Sequence, residues 1–356
     1  MKNNKRKPKL ISLFSGCGGL DLGFDQAGYD IVWANDYDHW SCQTYKRNFG
    51  DHIEEASISD IDFSKLPDCD IMTGGFPCQD FSVIWKRGGL GTDRGNLYKS
   101  FVRAVDVKKP KVFIGENVKG LLSANKGKAI QQIVDDFAEL GYTVKYRICN
   151  FAKYGAPQLR ERVLIVGIRN DIDYDFSFPD HTHDESNYYT VGQALKGVEK
   201  VPYNNEHQNI LDKTRTMLSM IPEGKNFTAI PKDSPYYVKG MISHVYRRVD
   251  RNKPSTTIIA GGGGGTWGYH YEENRPLTNR ERARLFGYPD DFIFEGSITE
   301  VRRQIGNSVP PIAAKVFAEH LKSAFTAKTK AQELLSDEKD SKIETGIKLD
   351  LSLAME

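Results

Sequence analysis

The chain has little cysteine. The five present, Cys17, Cys42, Cys69, Cys78 and Cys149, are odd in number and include no CxxC pair. This argues against a disulfide framework and against a structural zinc site. It suits a reducing cytoplasm, where a thiol stays available. There is no apolar run near the ~18 residues that a membrane span needs. The basic start, Met1 to Lys9, is not followed by the apolar stretch and cleavage site of a signal peptide. A cytoplasmic protein with no membrane partner is therefore expected. An excess of charge of one sign is also missing: 49 Lys and Arg stand against 47 Asp and Glu. Overall charge thus does not point to nucleic acid. No internal repeat is evident.

At 356 residues the chain can hold two domains and a sizeable core. From residue 9 to about 170, short apolar runs alternate with helical patterns. The runs Leu10–Phe14, Asp30–Ala34, Cys69–Thr73, Val112–Glu116, Thr143–Asn150 and Val163–Gly167 read as strands. Leu20–Ala27, Leu97–Val107 and Ala129–Leu140 read as helices between them. This is the βαβ rhythm of an α/β, doubly wound Rossmann-like sheet. From about 178 to 275 the rhythm is lost in a segment rich in Asn, Pro, Gly and Tyr that contains the run Gly261 to Gly265. This reads as a second, smaller and irregular domain. Helical signals then return. Thr278 and Glu281 form a capping box, and Gly287 is a natural left-handed stop. Ile312, Val316, Phe317, Leu321 and Phe325 lie on one face of a last helix after Pro310-Pro311. Residues 329–356 read as a polar tail.

The segment Phe76-Pro77-Cys78-Gln79 follows an apolar strand and the pair Gly74-Gly75. A cysteine on a tight turn at the carboxyl edge of a parallel sheet stands where open α/β sheets bind ligands. Glu116-Asn117-Val118 ends the next strand, so an acid lies beside it. Cysteine and carboxylic acid without histidine suit covalent addition to a ring carbon, with the acid protonating the ring. Phe14-Ser15-Gly16-Cys17-Gly18-Gly19-Leu20 opens a helix after the first strand, where glycines let a ligand approach the backbone. Asp21 stands where a dinucleotide fingerprint needs its third glycine. Asn35-Asp36-Tyr37 ends the second strand, with an acid placed for ribose hydroxyls and a ring placed for adenine. The pattern fits either a tight turn or a nucleoside cofactor without pyrophosphate, of which S-adenosylmethionine is the simplest. If residues 158–162 are extended, Gln158, Arg160 and Arg162 share a face, either as polar outer residues of a surface strand or as donors to a base or phosphate. Gly306-Asn307-Ser308 before the last helix is either helix initiation or a ligand contact. Basic clusters at Lys2–Lys9, Lys86-Arg87, Arg247-Arg248 with Arg251 and Lys253, and Arg280, Arg282 and Arg284 are solvated faces or a phosphate-binding groove.

In combination and in order, these segments resemble the DNA (cytosine-5)-methyltransferases of prokaryotic restriction–modification systems. The motifs are Phe14 to Gly19, Gly75 to Gln79, Glu116 to Val118, Gln158 to Arg162, Arg275 to Glu281, and Gly306 to Val309, spread over most of residues 9 to 325. The resemblance implies an S-adenosylmethionine-binding catalytic domain over 1–177, completed by 304–328. It implies a small domain over 178–303, with a target recognition region near 200–272. Cys78 would attack C6 of a flipped cytosine, Glu116 would supply a proton at N3, and Arg162 would hold O2. Arg160 and Gln158 would support the site, and Asn117 would fix Pro77 and the catalytic turn. Phe14, Gly16, Gly18, Leu20, Asp36, Tyr37, Asp60, Ile61, Leu97 and Asn307 would contact the cofactor, which leaves as S-adenosylhomocysteine. The segment 80–94, with Ser82, Lys86 and Arg87, resembles a loop that closes over DNA. Arg247, Arg248 and Arg251 are expected to touch DNA as well. Cys17 stands where alanine is common in the family. The expected setting is a monomer in the cytoplasm of a bacterial or archaeal cell, acting on double-stranded DNA alongside an independent restriction endonuclease. Two other readings are a tRNA cytosine-5 methyltransferase and a non-catalytic DNA-binding relative. Intact Cys78, Glu116 and Arg162 oppose the second.

Overall fold

The computed structural model describes residues 6–77, 96–237, 239–240, 245–261, 264–266 and 268–327. Its centre is a seven-stranded sheet. The strands are β1 (Lys9–Leu13), β2 (Asp30–Asp36), β3 (Ile53–Glu55), β4 (Ile71–Gly74), β5 (Val112–Val118), β6 (Tyr142–Asn150) and β8 (Glu161–Arg169). They lie in the order β3-β2-β1-β4-β5-β8-β6. The first five pair in parallel, and β8 runs antiparallel to both β5 and β6. The expected strands are all present, but the sheet is mixed rather than wholly parallel. Only residues 151–160 separate β6 from β8, too few for a crossover helix, so the chain returns as an antiparallel neighbour.

The helices α1 (Gly19–Gln26), α2 (His39–Phe49), α3 (Asn96–Lys108) and α4 (Lys128–Glu139) lie between the strands. The core forms where their apolar stripes meet the sheet. Phe101, Phe113, Phe137 and Tyr142 interlock there as a buried aromatic cluster. The parallel strands bring the ends of β1, β2, β4 and β5 to one edge, where ligands of such sheets sit.

Beyond β8, regular structure is sparse: α5 (Val191–Leu195), α6 (Asp212–Ser219) and the short β9 (Ser255–Thr256), which pairs in parallel with β7 (Gln158–Leu159). A separate apolar cluster of Met217, Leu218, Ile221, Phe227, Ile230 and Tyr269 holds this stretch together. Then come α7 (Asn279–Leu285), α8 (Ile298–Asn307) and α9 (Pro311–Leu321). The capping box on α7 is present on both sides: Thr278 Oγ1 accepts from Glu281 N, and Glu281 Oε2 accepts from Thr278 N. Gly287 follows at φ +77°. α9 lies on α1 so closely that a Cβ on Gly23 would stand 2.5 Å from that of Ala314. The last helix therefore packs on the first, and residues 303–309 are carried to the edge of β1. Among the described residues no helix is long and apolar enough to cross a membrane.

Candidate active site

A cavity of about 330 Å³ opens at that edge, lined by segments 12–21, 36–41, 75–77, 116–118 and 303–309. The first wall is the turn after β1. Phe14 and Gly16 both take left-handed backbone conformations, φ +54°, a strain that non-glycine residues accept chiefly where a site requires it. A Cβ on Gly16 would meet nothing within 4 Å, because the position faces open space. Gly19 cannot be replaced for the opposite reason: its Cβ would stand 1.8 Å from Ser308 Oγ.

Asp36, at the end of β2, accepts hydrogen bonds from Gly16 N at 2.8 Å and Asp38 N at 2.9 Å. It thereby ties the glycine turn to the second strand. Burial pushes its pKa up, against the pull of these backbone donors. Such a desolvated carboxylate favours further donors. Tyr37 beside it is 72% exposed, an open ring on the rim. Asn307, in the last turn of α8, lines the same cavity.

The other end of the cavity holds the expected chemistry. Asn117 Nδ2 donates to Phe76 O at 2.9 Å, fixing the turn that leads into Pro77. Glu116 Oε1 lies 3.0 Å from Arg162 Nε, and both side chains are largely buried. Burial pushes the Glu116 carboxyl up, against the pull of Arg162 and Arg160. The acid thus keeps a proton more readily than an exposed glutamate would. A second cavity, about 530 Å³, adjoins at Val118 and is lined by Arg162, Glu161, Lys119 and Thr257.

Of the expected cofactor residues, Phe14, Gly16, Leu20, Asp36, Tyr37 and Asn307 line the first cavity, whereas Gly18, Asp60, Ile61 and Leu97 do not. Gly18 turns into helix α1 against Phe49. Asp60 is exposed on a short 3-10 turn, and Ile61 is buried in the core. Leu97 packs, half-buried, on that same core. Cys78, Ser82, Lys86 and Arg87, with the rest of 80–94, lie outside the described residues.

Gln158, Arg160 and Arg162 do not converge on one ligand. The ladder breaks at Arg160, where β7 ends and β8 begins. Gln158 donates to Leu285 O and accepts from Ile258 N. Arg160 donates to Ile258 O at 3.1 Å and Gly306 O at 2.9 Å, over the ring of Phe286. Burial, helped by nearby Arg162, pulls its pKa down to about 9. Gln158 and Arg160 bear on the site only through the backbone they hold, and Arg162 alone meets Glu116.

The basic clusters also need correction. Arg280 and Arg282 are fully buried. Arg280 donates to the carbonyls of Tyr203, Pro289 and Phe292, and Arg282 to that of Leu277. Arg284 pairs with Asp290. Arg248, expected to touch DNA, is buried and donates to the carbonyls of Leu218, His270, Tyr271 and Glu273. Arg251 is part-exposed beside Glu223 and over Tyr271. Arg247 is half-buried. Ser308, offered by the sequence as a helix start or a ligand contact, lines this cavity too, as do Asp38, Ser41, Arg303 and Gln304, which the sequence did not mark out. Arg303 had one available signal: it lies one helical turn before Asn307, on the same face. Among the described residues no group of His, Cys, Asp and Glu could hold a metal ion.

The sequence model of C-5 cytosine-specific DNA methylases matches residues 8–323. The Type II methyltransferase M.NgoFVII of Neisseria gonorrhoeae is 58% identical over 351 residues, which span 96% of this chain and 94% of that protein. M.BbvI of Brevibacillus brevis, also a Type II methyltransferase, is 40% identical, over 88% of this chain and 90% of that one. In structure, an E. coli prophage-encoded protein described as a DNA modification methyltransferase superposes with a TM-score of 0.71. It is 23% identical and covers 90% of this chain and 100% of its own. The chain belongs to the C-5 cytosine-specific DNA methylase family, whose members are enzymes.

Proposed function

We propose that this protein methylates C5 of an extruded cytosine in double-stranded DNA, with S-adenosylmethionine held in the cavity at the sheet edge. The observation that carries the reading is that Glu116, itself paired with Arg162, and the Asn117-held Pro77 turn line the same cavity as the glycine turn. The residues fit the cofactor. Gly16 leaves open space for it, Asp36 offers a desolvated acceptor for ribose hydroxyls, and Tyr37 offers a free ring for adenine. Phe14, Leu20 and Asn307 complete the walls. When bound, the cofactor supplies an electrophilic methyl group.

The chain's own residues do the rest. Cys78, next in the chain after Pro77, adds as thiolate to C6 while Glu116 delivers a proton at N3. Electron density then collects at C5. Arg162 holds Glu116 in place and presents donors to O2. After C5 has gained a methyl group, its proton passes to solvent, the C6–sulfur bond breaks and N3 returns its proton to Glu116, which restores the ring, the acid and the thiolate. Extruding the base costs roughly a few kcal/mol, which phosphate contacts would offset.

In this reading residues 1–177 with 304–328 form the catalytic unit, and 178–303 the small domain with target recognition near 200–272. The setting is the cytoplasm, where a monomer protects DNA from a separate restriction endonuclease. The relatives named as Type II methyltransferases support the modification role. The test is transfer of labelled methyl to duplex DNA and to tRNA, followed by mapping of the modified base. Label at cytosine C5 in DNA is expected. Label in tRNA alone would favour a tRNA methyltransferase, and label in neither would overturn the proposal.

A further inference from the structure

Arg303 and Asp38 join two walls of the cofactor cavity that are 265 residues apart in the chain. Arg303 Nη2 donates to Asp38 Oδ2 at 2.6 Å. On its own helix Arg303 also reaches Glu300, through Nε at 2.9 Å. The other oxygen of Asp38 accepts from Ser41 N at 2.9 Å and caps α2. Asp38 therefore sits at the junction of the 36–38 turn and α2, and Arg303 clips that junction to α8.

The rim needs such a clip. The Tyr37 ring is 72% exposed, so its position depends on the turn that carries it rather than on packing. Asn307 lines the same cavity, four residues after Arg303 on the same helical face. The width between Tyr37 and Asn307 is thus set by how firmly 36–38 is held to α8. The ion pair with Glu300 alone, local to one helix, would not do this.

We propose that Arg303 is a positioning residue for the cofactor. Through Asp38 it fixes the separation of the Tyr37 and Asn307 walls, so that an adenosine-bearing ligand meets a preformed site. This rests on the reading of the cavity as the cofactor site. Preorganisation of this kind raises affinity by lowering the ordering cost of binding.

The test is calorimetric titration of the full chain with S-adenosylhomocysteine. Asp38→Asn keeps the helix cap, since asparagine caps as well as aspartate, but loses the charge. Arg303→Met keeps most of the stem. Each variant should bind about three- to tenfold more weakly. The double variant should be no weaker than the poorer single one, since both break the same link. Arg303→Lys should recover part of the loss. Thermal midpoints should stay within about 2 °C, and in turnover the change should appear in KM for the cofactor rather than in kcat. Wild-type binding with both single variants unchanged, or with additive losses, would overturn this inference alone. Failure of the wild type to bind would overturn it together with the cavity assignment.

Discussion

Asn117 Nδ2 donates to the carbonyl of Phe76 across 2.9 Å, linking strands β4 and β5 at the mouth of the cavity. Its own Oδ1 accepts from Val118 N. Removal of the amide in Asn117→Ala takes one donor from the carbonyl of Phe76, at a cost of roughly 1–3 kcal/mol. The turn into Pro77 then loses its register. Turnover should fall at least tenfold, while affinity for S-adenosylhomocysteine changes less than threefold. A variant with near-wild-type turnover would show that the turn holds its shape without the bond.

Glu116 is an acid whose burial favours the protonated form while Arg162 opposes it. Glu116→Gln keeps a donor but cannot release a proton. Acid–base contributions of this kind are worth roughly 10²–10⁴-fold. Methyl transfer should drop within that range. A loss below threefold would assign the proton at N3 to another group. Because the folded pKa is raised, wild-type turnover limited by this proton should decline on the alkaline side at a higher pH than for an ordinary glutamate, and the glutamine variant should lack that limb.

Much of the frame was legible in the sequence. Local signals carry it: apolar runs of strand length, the Thr278–Glu281 box and the stop at Gly287. Each is fixed within a few residues, and each appears where its pattern placed it. Strand direction at β8 was not legible, because it depends on the length and path of 151–160 rather than on the strand's composition. The arginines misled for a related reason. Arg248 and Arg280 look like surface charge in one dimension, yet their partners are carbonyls up to 77 residues away. The resemblance set Glu116 and Arg162 at one base, N3 and O2, but their ion pair with each other was not legible. The link from Arg303 to Asp38 left no mark that a single sequence displays.

Asp21 takes the place of a dinucleotide-site glycine and is fully buried, accepting from Ser12 Oγ at 2.7 Å and Tyr45 OH at 2.8 Å. Burial pushes its pKa up to about 6 from an ordinary value of 3.8, against those two donors. A folded pKa above the unfolded one means that the folded state binds the proton more tightly. This contribution to stability is present below pH 4 and is lost as pH rises through about 6, by on the order of 2–3 kcal/mol. Asp21→Asn keeps the shape and removes the titration. The stability difference between variant and wild type, from urea unfolding, should therefore move in the variant's favour between pH 4.5 and pH 7.5. A difference that stays constant over this interval would mean that Asp21 ionises in the fold as it does in the unfolded chain.

Arg248 separates two views of the recognition region. If it read a base, its replacement would leave the fold intact and relax specificity at one position, by about 1–3 kcal/mol. The structure places it instead at the centre of 218–273. Its Nη1 donates to the carbonyls of His270, Tyr271 and Glu273, and Nε and Nη2 donate to that of Leu218. These bonds tie the end of α6 to the stretch after Tyr269, over the cluster of Met217, Ile221 and Phe227. Arg248→Met would remove this donor from the carbonyls of His270 and Tyr271, while those of Leu218 and Glu273 keep backbone donors at Ile221 and Arg275, a loss on the order of 2–4 kcal/mol. The expected result is faster proteolysis within 200–272 and weaker binding to cognate and non-cognate DNA alike. Arg251→Ala is the control. Its pairing with Glu223 is part-exposed, so stability should change by no more than about 1 kcal/mol. If Arg248→Met resisted proteases like the wild type and lost discrimination at a single base pair, the arginine would have to leave its carbonyls on DNA, and the buried arrangement would be only its resting state.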